Sequence, residues 1–185
     1  MKTTILTALL AASLAMAIGV PAAAQTAPIE DQIVNTPGLG GISISGLEHP
    51  PRTRRDAAVQ GGQALRVAVP GAQTDAWKVS LGNKLVKPVR KGNVLVVAFW
   101  ARTEAGPDGS DSINLPYNGL QLAQEPYSPL FHAPLVIGPA WTLHEVRGVA
   151  DRDYQAGELM VMMHLATGKQ TIDFGPVFVL ELDKR

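Results

Sequence analysis

Residues 87–102 read Lys-Pro-Val-Arg-Lys-Gly-Asn-Val-Leu-Val-Val-Ala-Phe-Trp-Ala-Arg, a basic turn followed by a long apolar segment. Successive side chains of a β-strand point to opposite faces of the sheet. One face of this strand carries Leu95, Val97, Phe99 and Ala101, and the other carries Val96, Ala98, Trp100 and Arg102. A continuous apolar run is typical of a buried strand. The stretch therefore predicts a β-protein in which this strand lies in the interior of a sheet.

The same alternation recurs on both sides of this strand. Ile42 and Ile44 alternate with serines, and the segments 65–69 and 77–81 alternate apolar with polar or small residues. Further candidate strands are residues 113–115, 119–124, 134–137, 141–149, 158–165 and 171–182, the last two joined by a hairpin-sized turn at 166–169. No segment after the first 24 residues holds a helical period. We predict an all-β fold, an antiparallel two-sheet β-sandwich of jelly-roll type with eight or nine strands.

The first 24 residues have the features of a secretory signal peptide. Lys2 supplies a positive charge, residues 5–20 form an apolar run too short to span a bilayer, and residues 21–24 offer a small-residue cleavage site. We therefore expect a soluble mature protein, periplasmic or extracellular. Residues 25–61 are expected to form a lead-in with the first strands, and 62–185 the remainder of a single domain of about residues 30–185.

The composition excludes several classes of protein. There is no cysteine, so neither a disulfide framework nor a thiolate metal site can form. The 16 basic and 16 acidic residues balance, whereas nucleic-acid binding usually requires a basic surface. His144-Glu145 lacks the second histidine of a zinc-protease motif, no nucleophile elbow occurs, and most acidic residues lie in predicted turns. The sequence predicts a protein without a catalytic or metal-ligand set.

Several loose motifs follow one another in a definite order. They are Gly61-Gly62-Gln63-Ala64-Leu65-Arg66-Val67, Asp75-Ala76-Trp77-Lys78-Val79, residues 89–93 leading into Phe99-Trp100-Ala101-Arg102, residues 126–130, Trp141 with its following strand, and residues 168–175. In this order the chain resembles the carbohydrate-binding modules of families 4 and 9 and their galactose-binding-like relatives. The resemblance implies a jelly roll that binds a glycan without cleaving it.

The N-terminal region departs from the family pattern. The family's Asn-Gly-x-Phe-Glu segment is replaced by Asn35-Thr36-Pro37-Gly38-Leu39, which lacks the acidic residue that often helps to hold a structural calcium ion. Asp173 resembles the family's C-terminal aspartate. The resemblance therefore leaves a structural calcium site open, and we expect no other cofactor.

Side-chain alternation also predicts a binding face. If Phe99 points into the core, Trp100 and Arg102 point outward, about 7 Å apart along the strand. The same reasoning assigns an outward direction to Lys78 and Ser80 on one strand and to Met160, Met162 and His164 on another. We predict that one outer face combines Trp100, Arg102, Lys78, Ser80 and His164. A ring platform with several hydrogen-bonding groups suits a sugar.

Other interpretations of these residues stay open. Trp100 could pack against neighbouring strands, Arg102 could pair with Glu104 or Asp111, and His164 could be a core histidine. Trp77 and Trp141 are in phase with apolar neighbours, which favours burial in the core.

In the proline-rich region 116–139, Tyr117 and the nearby Gln121 are further ligand candidates, whereas Tyr127 is expected to anchor its loop between two prolines. Arg52, Arg54 and Arg55 are more typical of a solvated loop than of a site for an acidic polysaccharide.

Three functions follow from these observations. The first is a secreted, non-catalytic glycan-binding protein. The second is a structural or adaptor sandwich that holds a periplasmic or surface protein through an exposed apolar patch. The third is a small hydrolase or esterase, which would require a histidine and a carboxylate that converge in a cleft.

Overall fold

The computed structural model describes residues 28–183, and the predicted signal peptide lies outside them. The strands are β1 (Ser43–Ser45), β2 (Arg52–Arg55), β3 (Gln63–Val69), β4 (Ser80–Lys84), β5 (Val94–Ala105), β6 (Ile113–Leu122), β7 (Pro129–Ile137), β8 (Thr142–Val149), β9 (Leu159–His164) and β10 (Gln170–Leu182). A short helix, α1 (Ile29–Gln32), and two one-turn 3₁₀ helices, Ala76–Lys78 and Pro107–Gly109, complete the secondary structure. Within residues 28–183 no helix is long and apolar enough to cross a bilayer.

The strands form two antiparallel sheets of five strands each. Sheet I has the order β1-β4-β9-β6-β7, and sheet II has the order β2-β3-β10-β5-β8. β5, which contains the apolar run 94–101, lies between β10 and β8 in sheet II. The predicted all-β sandwich is therefore confirmed, with ten strands in the described part of the chain instead of eight or nine.

The core lies between the two sheets and consists of the side chains that alternation assigned inward. In β5 these are Leu95, Val97, Phe99 and Ala101, each fully buried. In β9 they are Leu159, Val161 and Met163, also buried, whereas Met160, Met162 and His164 on the other face are partly exposed. The inward direction of Phe99 leaves Trp100 and Arg102 on the outer face, as predicted.

The predicted hairpin at residues 166–169 is wrong. β9 belongs to sheet I and β10 to sheet II, so this connection carries the chain from one sheet to the other. Turn chemistry of this length fits both a hairpin and an inter-sheet connection, and only the pairing partners decide between them.

The proline- and arginine-rich regions contain more strand than expected. Residues 113–115 and 119–124, predicted as separate strands, form the single strand β6, whose register with β7 shifts between Leu115 and Asn118. Pro116 lies at this irregularity, where the loss of its N–H interrupts no regular ladder. β2, interpreted from sequence as loop, is an edge strand whose arginines are typical of edge strands that avoid further pairing.

A buried asparagine joins the two sheets near the start of the described chain. Asn35 is only 3% exposed. Its Nδ2 donates to the carbonyl oxygen of Val177 in sheet II at 3.1 Å and to Oδ1 of Asn83 in sheet I at 3.3 Å. Its Oδ1 accepts from the amide of Val179 at 2.7 Å. One amide side chain therefore satisfies polar groups of both sheets.

We predict that Asn35→Ala lowers the free energy of unfolding by about 2–3 kcal/mol, because it leaves buried donors and acceptors of both sheets without partners. The matched control is Asn114→Ala in β6, where the asparagine is exposed, and the expected change there is below about 0.5 kcal/mol. Urea unfolding measures both. Equal losses in the two variants would contradict the role given to Asn35.

Candidate functional site

A groove of about 490 Å³ crosses the outer face of sheet I. We call it the aromatic groove. Its lining residues come from β4, β6, β7, β9 and two adjoining loops, and they are Trp77, Ser80, Tyr117, Gln121, Tyr127, Pro129, Met162 and His164. None of these side chains is charged when histidine is neutral. The groove therefore offers aromatic rings and neutral hydrogen-bonding groups to a ligand.

Three aromatic rings from three strands form a continuous stack, of which Tyr117 and His164 line the groove. Tyr117 of β6 lies between His132 of β7 and His164 of β9, with ring centroids 4.3 Å apart on each side and interplanar angles of 19° and 13°. Beside this stack, Gly119 has no room for a side chain, because a Cβ atom would overlap the carbonyl oxygen of Phe131 and lie 2.6 Å from the Cα of His132. The close approach of β6 and β7 thus depends on this glycine.

Two strongly exposed rings lie at the rim of the groove. Trp77 is 58% exposed and Tyr127 is 50% exposed. Tyr127 is in the β6–β7 loop, where it adopts a left-handed backbone conformation with φ of 54° and donates its amide to the carbonyl of Gln124 at 2.8 Å. Tyrosine and tryptophan are enriched at binding interfaces, where the ring packs against a partner and the polar atom stays hydrated. Tyr127 therefore projects from its loop, although the sequence favoured an anchoring role.

The predicted burial of Trp77 is wrong. Residues 76–78 form a 3₁₀ turn and do not extend β4, which begins at Ser80. Two hydrogen bonds fix this turn beside the end of β9, from the amide of Leu165 to the carbonyl of Val79 and from the amide of Ala166 to the carbonyl of Ala76. The turn breaks the alternation that assigned Trp77 to the core, and the preceding Asp75 is the only sequence signal that could have indicated it.

Burial acts on the ionisable groups of the stack. It raises the pKa of the Tyr117 phenol, whose hydroxyl is buried without a hydrogen-bond partner in the described structure. It also lowers the pKa of His164, and the nearby charge of His132 lowers it further. At neutral pH the His164 imidazole is therefore uncharged and stacks as a neutral ring. Since it is partly exposed in the groove, it is not a core histidine, which was the other interpretation of this residue.

The predicted site residues fall into two groups on opposite sides of the sandwich. Tyr117, Gln121 and His164 line the aromatic groove, and Lys78 lies next to it, paired with Asp75 at 3.4 Å. Trp100 and Arg102 lie on the outer face of sheet II. The prediction that Trp100 and Arg102 share one outer face with Lys78, Ser80 and His164 is therefore wrong, because alternation orders residues within one strand but does not say which sheet that strand joins.

Trp100 and Arg102 have partners within the fold. The indole Nε1 of Trp100 donates to Gln60 Oε1 at 3.1 Å. Arg102 donates to Glu104 at 2.8 Å, the pairing considered from sequence, and lies over the ring of Trp141 at 5.4 Å. Trp141 is only partly buried and donates to Asp56, so its assignment to the core is also wrong.

Arg102 also belongs to an ion-pair cluster centred on Asp173. This carboxylate is fully buried and accepts hydrogen bonds from Arg54 at 2.9 Å, Arg66 at 2.8 Å and Arg102 at 2.8 Å. Burial alone would raise the pKa of Asp173, but the hydrogen bonds and charges of Arg66 and Arg102 outweigh burial and lower it below the ordinary value of 3.8.

The same cluster bears on the calcium ion that the family resemblance left open. Three guanidinium groups occupy the oxygen atoms of Asp173, and their positive charge opposes a cation at this position. Within residues 28–183 no group of three or more histidine or acidic side chains is arranged to hold a metal ion. Asp173 therefore does not fit a calcium site.

We predict that Asp173→Asn lowers the free energy of unfolding by about 3 kcal/mol, because three arginines then lose their shared buried carboxylate and keep only the more exposed Glu104 and Asp56 as counter-charges. Since the carboxyl pKa is lower in the folded state, its contribution is present above the unfolded value near 4 and is lost as pH falls through the folded pKa. Denaturation between about pH 2 and pH 7 measures this acid dependence.

The control for Asp173→Asn is Glu145→Gln, which breaks the exposed pair between Glu145 and Arg147 and is expected to cost less than about 1 kcal/mol. The role of the cluster is contradicted if both variants are equally stable, or if Asp173→Asn keeps the wild-type dependence on acid.

No family model matches the sequence, and no curated protein matches it either. Among solved structures, the N-terminal cellulose-binding domain of Cellulomonas fimi β-1,4-glucanase C is similar, with 14% identity and a TM-score of 0.54 over 78% of this chain and 91% of that domain. A CBM4 structure has 12% identity and a TM-score of 0.55 over 77% of this chain and 95% of its own.

The tandem of CBM22 modules at the N-terminus of Xyn10C from Paenibacillus barcinonensis gives a TM-score of 0.58 at 16% identity, over 88% of this chain and 48% of the tandem. At such identities the likeness concerns the fold and not the side chains of the groove. The resemblance inferred from the order of the motifs is confirmed at that level. The chain has the β-sandwich fold of the CBM4 and CBM22 carbohydrate-binding modules.

Proposed function

We propose that this protein is a non-catalytic carbohydrate-binding protein and that the aromatic groove is its glycan-binding site. The single observation that carries the proposal is the pair of exposed rings, Trp77 and Tyr127, at the rim of an uncharged groove. Sugar rings have apolar faces that stack on aromatic side chains and hydroxyl edges that need hydrogen bonds. A groove with rings at its rim and polar groups within it supplies both.

The polar groups within the groove are Ser80 and Gln121, each 7% exposed. In the described structure the side-chain amide of Gln121 makes no hydrogen bond, so it is available to orient a ligand hydroxyl. The volume of the groove, about 490 Å³, lies within the range of about 300–1,000 Å³ that is common for ligand pockets. In a largely apolar pocket, a small number of well-placed polar groups fixes the orientation of the bound molecule.

A neutral glycan fits the groove better than an acidic one. The lining contains no lysine or arginine, and the arginines once considered for an acidic polysaccharide lie on β2 of the opposite sheet, where Arg54 pairs with Asp173. A structural neighbour supports the same class, since it is a cellulose-binding domain. The proposal extends to secretion into the periplasm or outside the cell, on the strength of the leader-like residues 1–24.

The hydrolase alternative gains no support from the groove. It requires a histidine and a carboxylate in one cleft, and the described lining includes His164 but no aspartate or glutamate. Asp75, which lies two residues before the groove residue Trp77, is paired with Lys78. We therefore retain glycan binding without cleavage as the function.

We predict that Trp77→Ala and Tyr127→Ala each weaken binding of a soluble oligosaccharide about tenfold, because each removes one stacking surface. Both rings are exposed, so neither change should cost much stability. Isothermal titration with cellohexaose and xylohexaose measures the dissociation constants, and affinity-gel retardation extends the test to polymers.

The matched control is Trp100→Ala, which removes an indole from the outer face of sheet II and should leave binding unchanged. Loss of binding in Trp100→Ala with normal binding in Trp77→Ala would move the site to the other sheet. If neither oligosaccharide nor any polymer binds to the folded wild-type protein, the proposed function is wrong.

A further inference from the structure

A stack of one tyrosine and two histidines adjoins the aromatic groove, and the charge of its histidines depends on pH. Tyr117 lies between two imidazoles, an exposed one from His132 and a half-buried one from His164. His164 also lines the groove, so a ligand seated there would cover it. Imidazole is the side chain whose charge changes between about pH 5 and pH 8. The protonation state of the groove can therefore change under ordinary conditions.

Within the part of the chain that the structure describes, no carboxylate forms an ion pair with His164. On the neighbouring strand β4 the residue in register is Ser80, and on β6 and β7 the adjacent rings are Tyr117 and the ionisable His132. The adjoining 3₁₀ turn contributes Asp75 and Lys78, which neutralise each other at 3.4 Å. A proton on His164 would thus face a second histidine and a neutral ligand instead of a carboxylate.

We propose that glycan binding in the aromatic groove is acid-sensitive, and that protonation of His164 in its stack with Tyr117 and His132 releases the ligand. This inference rests on the proposed function and concerns the regulation of the same site.

The physical reason is linkage between proton and ligand. A neutral glycan that covers His164 removes water from the imidazole, which disfavours its charged form more strongly than in the free protein. Ligand binding and protonation therefore oppose each other, and by reciprocity the proton weakens the ligand by the same factor. The His164 pKa is already lowered in the free protein by burial and by His132, so the neutral, binding form prevails at pH 7 and is lost as pH falls below the ordinary range of histidine.

The test measures the dissociation constants of cellohexaose and xylohexaose from about pH 8 to about pH 4.5 by isothermal titration. We expect constant affinity above about pH 7 and, in acid, a loss of about tenfold for each pKa unit by which the ligand lowers the pKa of His164. His164→Gln keeps a neutral side chain at this position and should flatten the profile. His49→Gln, a change at an exposed histidine outside the groove, should keep the wild-type slope.

A second measurement does not depend on any ligand. Proton NMR of the free protein follows the titration of His164, and His132→Gln should raise the pKa of His164, because the neighbouring charge is removed. This variant should also move the loss of affinity to a higher pH. It tests the coupling within the stack even if His164→Gln proves unstable.

Each result decides the question. The proposal is overturned if the affinity of the wild-type protein does not fall in acid, or if the same fall occurs in folded His164→Gln. It is also overturned if His132→Gln leaves the pKa of His164 unchanged. Tighter binding of these neutral sugars in acid would overturn it too. Absence of binding at neutral pH would instead refute the proposed function itself, so the two failures remain distinguishable.

Discussion

The packing of two sheets against each other through alternate side chains is the constraint on which the rest of this structure depends. In β9, Leu159, Val161 and Met163 are buried between the sheets. Because side chains alternate, Met162 and His164 must then point to the outer face. A shift of one residue in register would exchange the two sets and expose the core. The position of the aromatic groove is therefore a consequence of the burial of its neighbours.

The two outer faces of the sandwich differ in the side chains that they expose. Sheet II carries the cluster around Asp173, in which three arginines meet one fully buried carboxylate and are further balanced by Glu104. Sheet I carries uncharged rings and amides. Because the arginines are engaged with carboxylates, they are poorly suited to attract an acidic polymer, and the neutral groove remains the surface with unmet stacking and hydrogen-bonding capacity.

Much of the fold could be predicted from periodicity. In β9 the residues that alternation predicts to be inward are buried and their neighbours are partly exposed, as expected for a strand buried on one side. In β5 both faces are largely buried, so alternation predicts which residues share a face, and the structure shows that the face of Phe99 is the one in the core. The errors have local causes. Trp77 lies in a 3₁₀ turn that interrupts the alternation, β2 is an arginine-rich edge strand without an apolar face, and residues 166–169 connect two sheets where a hairpin was expected.

The candidate site was predicted only in part for a related reason. Tyr117, Gln121 and His164 could be named because polar or aromatic residues at outward positions are informative, yet Trp100 and Arg102 were grouped with them although they lie on the opposite sheet. The sequence by itself determined the class of fold and which residues of a long strand share a face, because both depend on neighbours along the strand. Which outward residues meet, and hence the Tyr117 stack and the groove, was decided only by the tertiary structure, because sheet membership depends on pairing between strands distant in the chain.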